Sequence, residues 1–227
     1  MVEILFKNKD VVIISKKAGV GSQSDLSGDK DALTYTKEIL LDMGERADLW
    51  LVHRLDRVVG GLLVFARNKD SAAKLSAIIS EEKLEKGYLA VVEGGVCSGT
   101  LSDYLFKDAR LSKAFVVKSE RKGAKYAELE YEALAQYSGE KGVYTLVAVK
   151  LKTGRFHQIR VQFASRGTPL VGDGKYGSRD NRAKMPALFS NAISFNLGKE
   201  KIEANKLPDT SVYPWSLFSS IIDSLND

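Results

Sequence analysis

The 227-residue chain has one cysteine, two histidines and four prolines. With Cys97 alone, neither an intrachain disulfide nor a cysteine-built metal site can form. His53 and His157 lie far apart in the sequence and no third ligand type clusters with either, so no metal site is expected. Few prolines and no Gly/Ser-rich stretch leave no obvious joint between halves, so a single domain over residues 1–227 is expected. Its 44% hydrophobic content is enough for one core or for two lobes. Long apolar runs are also missing. The longest early one, Val11 to Ile14, is far too short to span a bilayer, and the N-terminus has no signal-peptide pattern. A cytoplasmic protein without a membrane partner is the default. No Walker or Rossmann glycine loop is present, which removes the commonest nucleotide-binding readings.

Charge is present in moderate excess. Lys and Arg number 34 against 29 Asp and Glu, giving +5 and a pI near 9.1. That permits a polyanionic partner without requiring one. Its distribution is more informative. Residues 107–125 hold seven basic side chains (Lys107, Arg110, Lys113, Lys118, Arg121, Lys122, Lys125), opposed by Asp108 and Glu120 only. This segment is either a solvated hairpin face or a surface that contacts phosphates.

Residues 2–6 and 11–15 read as a hairpin turned at Asn8-Lys9-Asp10. A polar loop over residues 19–28 precedes a helix over 32–43, stopped by Gly44. Residues 49–52 and 62–66 read as strands around a polar loop. Ala72, Leu75 and Ile79 give residues 69–80 one apolar helical face. Strands follow at 88–93, 100–106, 114–118, 125–135 and 143–151, then a helix over 155–165 ended by Gly167. Strands in succession with few helices argue an α+β fold with a mixed, largely antiparallel sheet and flanking helices.

Both histidines fall in dense polar segments. The first is His53-Arg54-Leu55-Asp56-Arg57, directly after an apolar strand. A carboxylate among cations stays ionised and could act as nucleophile or base. The same charges could equally form a salt-bridged turn that only ties two strands together. The second segment is Thr153-Gly154-Arg155-Phe156-His157-Gln158-Ile159-Arg160. Phe156, Ile159 and Phe163 make a core-facing stripe, and Arg160 lies one step from it. There Arg160 is either an ordinary surface arginine or a partly buried one that needs an anion, for which Asp56 is an economical candidate.

Together these segments resemble the RluA family of pseudouridine synthases. His53-Arg54-Leu55-Asp56, followed by Gly61-Leu62-Leu63-Val64-Phe65-Ala66-Arg67, is similar to that family's catalytic loop. Thr153 to Arg160 and Gly172-Asp173-Gly174-Lys175-Tyr176-Gly177 are similar to two later stretches. Lys86-Gly87-Tyr88-Leu89-Ala90 and Lys16-Lys17-Ala18-Gly19 are similar to two others. The likeness runs from about Ile4 to Tyr176 in the right order. It implies a central catalytic cleft, a catalytic domain without an S4 domain, and isomerisation of a uridine in structured rRNA or tRNA by a monomer without a cofactor. It further implies Asp56 as the catalytic carboxylate, Arg160 as its ionic partner, and Tyr88 stacked on the uracil near C5. A strand tyrosine packed in the core is the plainer alternative for Tyr88. Arg54 would fill the space of the extruded base and Leu55 and Ile159 would wall the pocket, with Arg155 and His157 as further substrate-binding candidates.

Three departures stand out. Val59-Gly60-Gly61 replaces the family's Thr-Ser-Gly, which removes two hydroxyls that could brace the loop. Gln162 stands where a histidine is usual, and Lys17 where proline is. Two other readings follow from the residues: a non-catalytic RNA-binding relative, suggested by the altered turn, and a nucleoside or glycoside hydrolase. The hydrolase would need a second carboxylate, for which Asp173 is the nearest candidate, although its Gly-Asp-Gly setting reads better as a turn.

Overall fold

The computed structural model describes residues 1–24 and 28–226. Part of the polar loop expected over 19–28 therefore lies outside the described residues. In chain order, strands β1 (Val2–Lys7) and β2 (Val11–Lys16) lead to helix α1 (Ala32–Asp42). Strands β3 (Trp50–Leu51) and β4 (Gly60–Ala66) flank the polar loop, and helix α2 (Lys69–Ser80) follows. Next come β5 (Glu85–Glu93), β6 (Gly99–Asp108), β7 (Lys113–Val117), β8 (Lys125–Gly139), β9 (Gly142–Leu151) and helix α3 (Gln158–Ala164). Strands β10 (Leu188–Leu197) and β11 (Glu200–Asn205) and a short helix α4 (Ser219–Asp223) complete the chain. Among the described residues, no helix is long and apolar enough to cross a membrane.

The chain divides into two compact units. One comprises residues 1–86 and 189–208, the other 87–188 and 209–227. In the first, β1 pairs with β2, and β2 with β4, all antiparallel. β10 runs parallel to β4 at Gly60 and Gly61 and antiparallel to β11. The β1–β2 turn forms because the Asn8 side chain accepts both the Asp10 and Val11 amides at 2.8 Å. β4 is buried along its whole length, as its run of apolar residues demands. Val11, Ile13, Leu62 and Val64 pack with Leu75 of α2 and with Ile193, Phe195 and Ile202 of β10 and β11. α2 starts at 69 because Asn68 and Ser71 form a reciprocal capping box.

The second unit is an antiparallel meander in which β5 pairs with β9, β9 with β8, β8 with β6 and β6 with β7. Leu105, Ala114 and Ala127 pack against Val161 of α3 and against Tyr176. The helix expected from Arg155 starts three residues later. His157 adopts a left-handed conformation (φ 54°) and caps α3, so the preceding residues stay in a loop.

Gly61 sits where the loop turns into β4. Its φ is +110°, and a Cβ there would lie 2.6 Å from the Ser190 backbone nitrogen and closer still to the carbonyl oxygen of the same residue. Glycine is thus required both by conformation and by the close approach of β10. Gly61→Ala should destabilise the chain by about 3 kcal/mol or more, the combined cost of a strained φ and overpacking. Urea unfolding of the two proteins measures this, and an unchanged midpoint would contradict it.

Candidate active site

In the first unit, residues 53–59 form the loop between β3 and β4 that carries Arg54, Leu55 and Asp56. Arg54 is exposed, Leu55 buried and Asp56 half-buried. Backbone bonds hold this loop from several sides. Ser22 Oγ accepts the Leu55 amide (3.0 Å) and its hydroxyl donates to the Leu55 carbonyl (2.8 Å). The Arg57 carbonyl accepts the Gly19 amide (2.8 Å), and the Val59 amide donates to the Asp56 carbonyl (3.0 Å).

The firmest tie is Lys16, at the end of β2 and 1% exposed. Its Nζ donates to the carbonyls of Asp56 (3.0 Å), Arg57 (3.3 Å) and Val59. Three donors meet three acceptors, so the ammonium is hydrogen-bonded although it is buried. Burial pushes its pKa down to about 7; the charge of Asp56 opposes that shift and Arg57 adds to it. The Val59-Gly60-Gly61 turn, which lacks hydroxyls, is thus braced from beneath by the Lys16 side chain. Lys17, in place of proline, donates its amide to the Met1 carbonyl at 3.0 Å, a bond proline could not make.

His53 is not part of a cationic cluster. Burial first, and then nearby Lys86, push its pKa down to about 3, so it is neutral near pH 7. Its Nε2 accepts the Val64 amide at 3.1 Å, which puts the ring proton on Nδ1. His53 thus binds the loop to β4.

In the second unit Tyr88 is buried on β5, opposite Val149 of β9. Arg160 is buried in α3 and forms a bidentate pair with Asp173, Nε to Oδ2 at 2.7 Å and Nη2 to Oδ1 at 2.8 Å. The surface-arginine reading of Arg160 therefore falls, and Asp173 is an anionic partner that sequence reasoning had set down as a turn residue. It is both: the Tyr176 and Ser178 amides donate to its carbonyl. Its carboxylate is 1% exposed and committed to Arg160, an arrangement unsuited to the exposed second acid of a hydrolase.

The 153–158 loop is laced by Gln158. Its Oε1 accepts from the Thr153 hydroxyl (2.8 Å) and the Arg155 amide (2.9 Å), and its Nε2 donates to the Glu128 carbonyl (3.0 Å). Arg155 Nε donates to the Tyr126 carbonyl at 2.8 Å. His157 stacks on Phe156 with ring centroids 3.8 Å apart, and its Nδ1 lies 2.8 Å from the Tyr176 hydroxyl. Burial, then Arg160, Lys175 and Lys107, push its pKa down to about 3. That hydroxyl already accepts the Ala114 amide (2.8 Å), so its own proton can go to a neutral imidazole. Ile159 is buried on α3. Gln162, at the usual histidine position, is fully buried; its Nε2 donates to the Leu101 carbonyl (3.1 Å) and Asp103 Oδ2 (2.8 Å).

Sequence reasoning missed the roles of Lys16, Ser22, Gln158 and Asp173. A usable signal existed for two of them. Lys16 ends a strand that opens with four apolar residues, and Asp173 stands between two glycines 13 positions after an arginine that needed an anion.

The chain matches the model of the RNA pseudouridylate synthase family over residues 10–165. Ribosomal large subunit pseudouridine synthase D of Borreliella burgdorferi is 29% identical over 212 residues, 89% of this chain but only 63% of that protein. An uncharacterized RNA pseudouridine synthase of Haemophilus influenzae is 31% identical, over 91% of this chain and 88% of the relative. tRNA pseudouridine synthase C of Yersinia pestis is 33% identical, over 80% and 73%. The solved structure of human RNA pseudouridylate synthase domain containing 1 superposes with a TM-score of 0.76 at 24% identity, covering 92% of this chain and 84% of that one. The domain containing 4 protein gives 0.75 at 21%, over 95% and 91%. These two likenesses establish the α+β fold. The family match spans the 53–57 loop, Tyr88 and Arg160, and with it the chain belongs to the RNA pseudouridylate synthase family, in the RluA group that its motifs resemble.

Proposed function

We propose that the chain is an RNA pseudouridine synthase that converts a uridine of rRNA or tRNA to pseudouridine, with Asp56 as the catalytic carboxylate. The observation that carries this reading is the loop of Asp56, fixed through three of its backbone carbonyls by the buried Lys16 ammonium. Catalysis rewards a reacting group held in place before the substrate arrives. The altered turn was the sole reason to suspect a non-catalytic relative, and a loop held by the Lys16 tether supports the catalytic reading against it.

The reaction breaks the C1′–N1 bond and forms C1′–C5. The freed uracil rotates within the pocket, C5 loses its proton and N1 gains one, so the product is an isomer. An anionic carboxylate at C1′ or C6 serves the first step, and Asp56 supplies it. Tyr88 offers a flat apolar face with a polar tip for the base. Arg160 supplies a cation oriented by Asp173 and is assigned to keep the carboxylate ionised. Arg54, exposed at the loop, is assigned to the space the uridine vacates. Leu55 and Ile159 are the apolar walls, and Arg155 and His157 support the RNA. The site of action is the cytoplasm and the working form a monomer.

Asp56→Asn should lose turnover by at least a thousandfold while RNA affinity changes little. Tritium release from 5-tritiated uridine RNA measures the first and filter binding the second; substantial residual release would refute the role of Asp56. Tyr88→Phe should keep base stacking and lower turnover at saturating RNA, and an unchanged rate would reduce Tyr88 to packing.

Lys16 brings a pH dependence. Its folded pKa lies near 7, below the ordinary 10.5. Between those values the unfolded chain holds a proton that the folded chain has released, so stability rises with pH across that window. Lys16→Met lacks this increment. The gap in urea midpoint between wild type and variant should therefore widen in favour of the wild type from pH 7 to pH 9. A gap independent of pH would mean that Lys16 does not titrate there.

A further inference from the structure

The outward face of the β6–β7–β8 ribbon carries none of the residues assigned to catalysis. Side chains alternate across a strand, so the register decides which of them share a face. Phe106 lies opposite Phe115, and Tyr104 lies opposite both Val117 and Tyr126. Leu105, Ala114 and Ala127 point the other way, into the core beneath α3. The rings on the outward face remain in solvent: Tyr104 is 39% exposed, Phe115 36% and Tyr126 43%. Tyr104 and Tyr126 meet edge to face with centroids 5.7 Å apart. Single exposed aromatics are ordinary on a surface, but three on one sheet face are not.

Cations border these rings. The turn after β7 lays the Arg121 guanidinium over Phe106 at 3.8 Å, and Lys113 Nζ, at the strand edge, lies 5.7 Å from the Phe115 centroid and 5.1 Å from that of Tyr176. Lys118 and Lys122 of the same turn are exposed. The Tyr126 hydroxyl donates to Glu128. The face therefore carries cations beside Phe106 and Phe115 and a carboxylate beside Tyr126.

We propose that this face binds an unpaired segment of the RNA substrate, its bases stacked on Tyr104, Phe115 and Tyr126 and its phosphates along Lys113, Lys118, Arg121 and Lys122. The proposal deepens the pseudouridine synthase reading and rests on it for the identity of the polyanion. The rings argue for single strands. A duplex keeps its base faces inside the stack and offers a protein mainly phosphates and groove edges, whereas an unpaired strand can lay its bases on aromatic rings. The excess of Lys and Arg over residues 107–125 supplies the complementary charge.

The test is fluorescence anisotropy of the intact chain with a labelled oligocytidylate, which offers the active site no uridine. Y104A/F115A should bind about tenfold more weakly, the weight of a lost base stack, with its salt dependence unchanged. Tyr104→Phe keeps the ring and should bind as wild type does. K118Q/K122Q should weaken binding and flatten the slope of log K against log salt by about 0.7 per charge removed. Equal affinity in Y104A/F115A, or equally tight binding of a duplex of the same length, would overturn the proposal. Tritium release on full-length RNA is read separately. Ring-dependent binding without release would sink the catalytic reading alone, and release with ring-independent binding would sink the stacking face alone.

Discussion

The Lys16 ammonium beneath residues 56–59 is the constraint around which the first unit is arranged. Removing an ammonium from water costs several kcal/mol unless acceptors replace the lost solvent. Here three carbonyls of one turn replace it, so the turn cannot drift without stranding a charge. β2 sets where the ammonium sits, because Lys16 pairs with Gly61 in the β2–β4 ladder, two residues beyond the Val59 carbonyl it holds. Gly61 in turn must lack a side chain because β10 passes against it at Ser190. Lysine, ladder, glycine and neighbouring strand form one closed set of requirements, and the loop bearing Asp56 is what they fix.

The second unit meets a similar requirement by other means. Arg160 is buried, so its guanidinium needs an anion, and Asp173 supplies both oxygens. Asp173 can do so because its own backbone is held by the tight turn over Gly174–Tyr176. Tyr176, at the end of that turn, binds the Ala114 amide and His157 Nδ1. The residues of the later sequence motifs thus answer one another's polar groups: the arginine fixes the turn, the turn fixes the tyrosine, and the tyrosine fixes the histidine that starts α3. A network satisfied in this way is rigid, because loosening any member leaves another buried and unpaired.

Most of the regular structure was legible in the sequence, for reasons that also explain the gaps. β2, β4 and α2 carry strong apolar periodicity, and α2 carries its own cap, so their positions follow from local pattern. β10 went unread because Ser190, Asn191, Ser194 and Asn196 dilute its apolar signal, and its parallel partner β4 lies more than a hundred residues away. α3 was placed early because periodicity marks the buried stripe and cannot foresee the left-handed His157. Among site residues, Asp56 and Arg160 stood in dense motifs. Lys16 closes an apolar run, which marks it as unusual, but its role depends on a turn 40 residues later that closes over it. The glycines around Asp173 announced a turn and hid its carboxylate. The exposed rings of β6–β8 escaped notice because their shared face exists only once the register is known.

The electrostatics of the Asp56 loop change most between sequence and structure. The sequence offered two arginines and a histidine as the cations around Asp56. Burial keeps His53 neutral, while an unforeseen cation, Lys16, lies directly beneath the loop. The charge of Asp56 raises the lysine's affinity for its proton. The lysine therefore owes part of its retained proton to the charge of the loop it anchors. A desolvated ammonium at the end of a strand and the carbonyls of a turn about 40 residues later thus hold the Asp56 loop in place together.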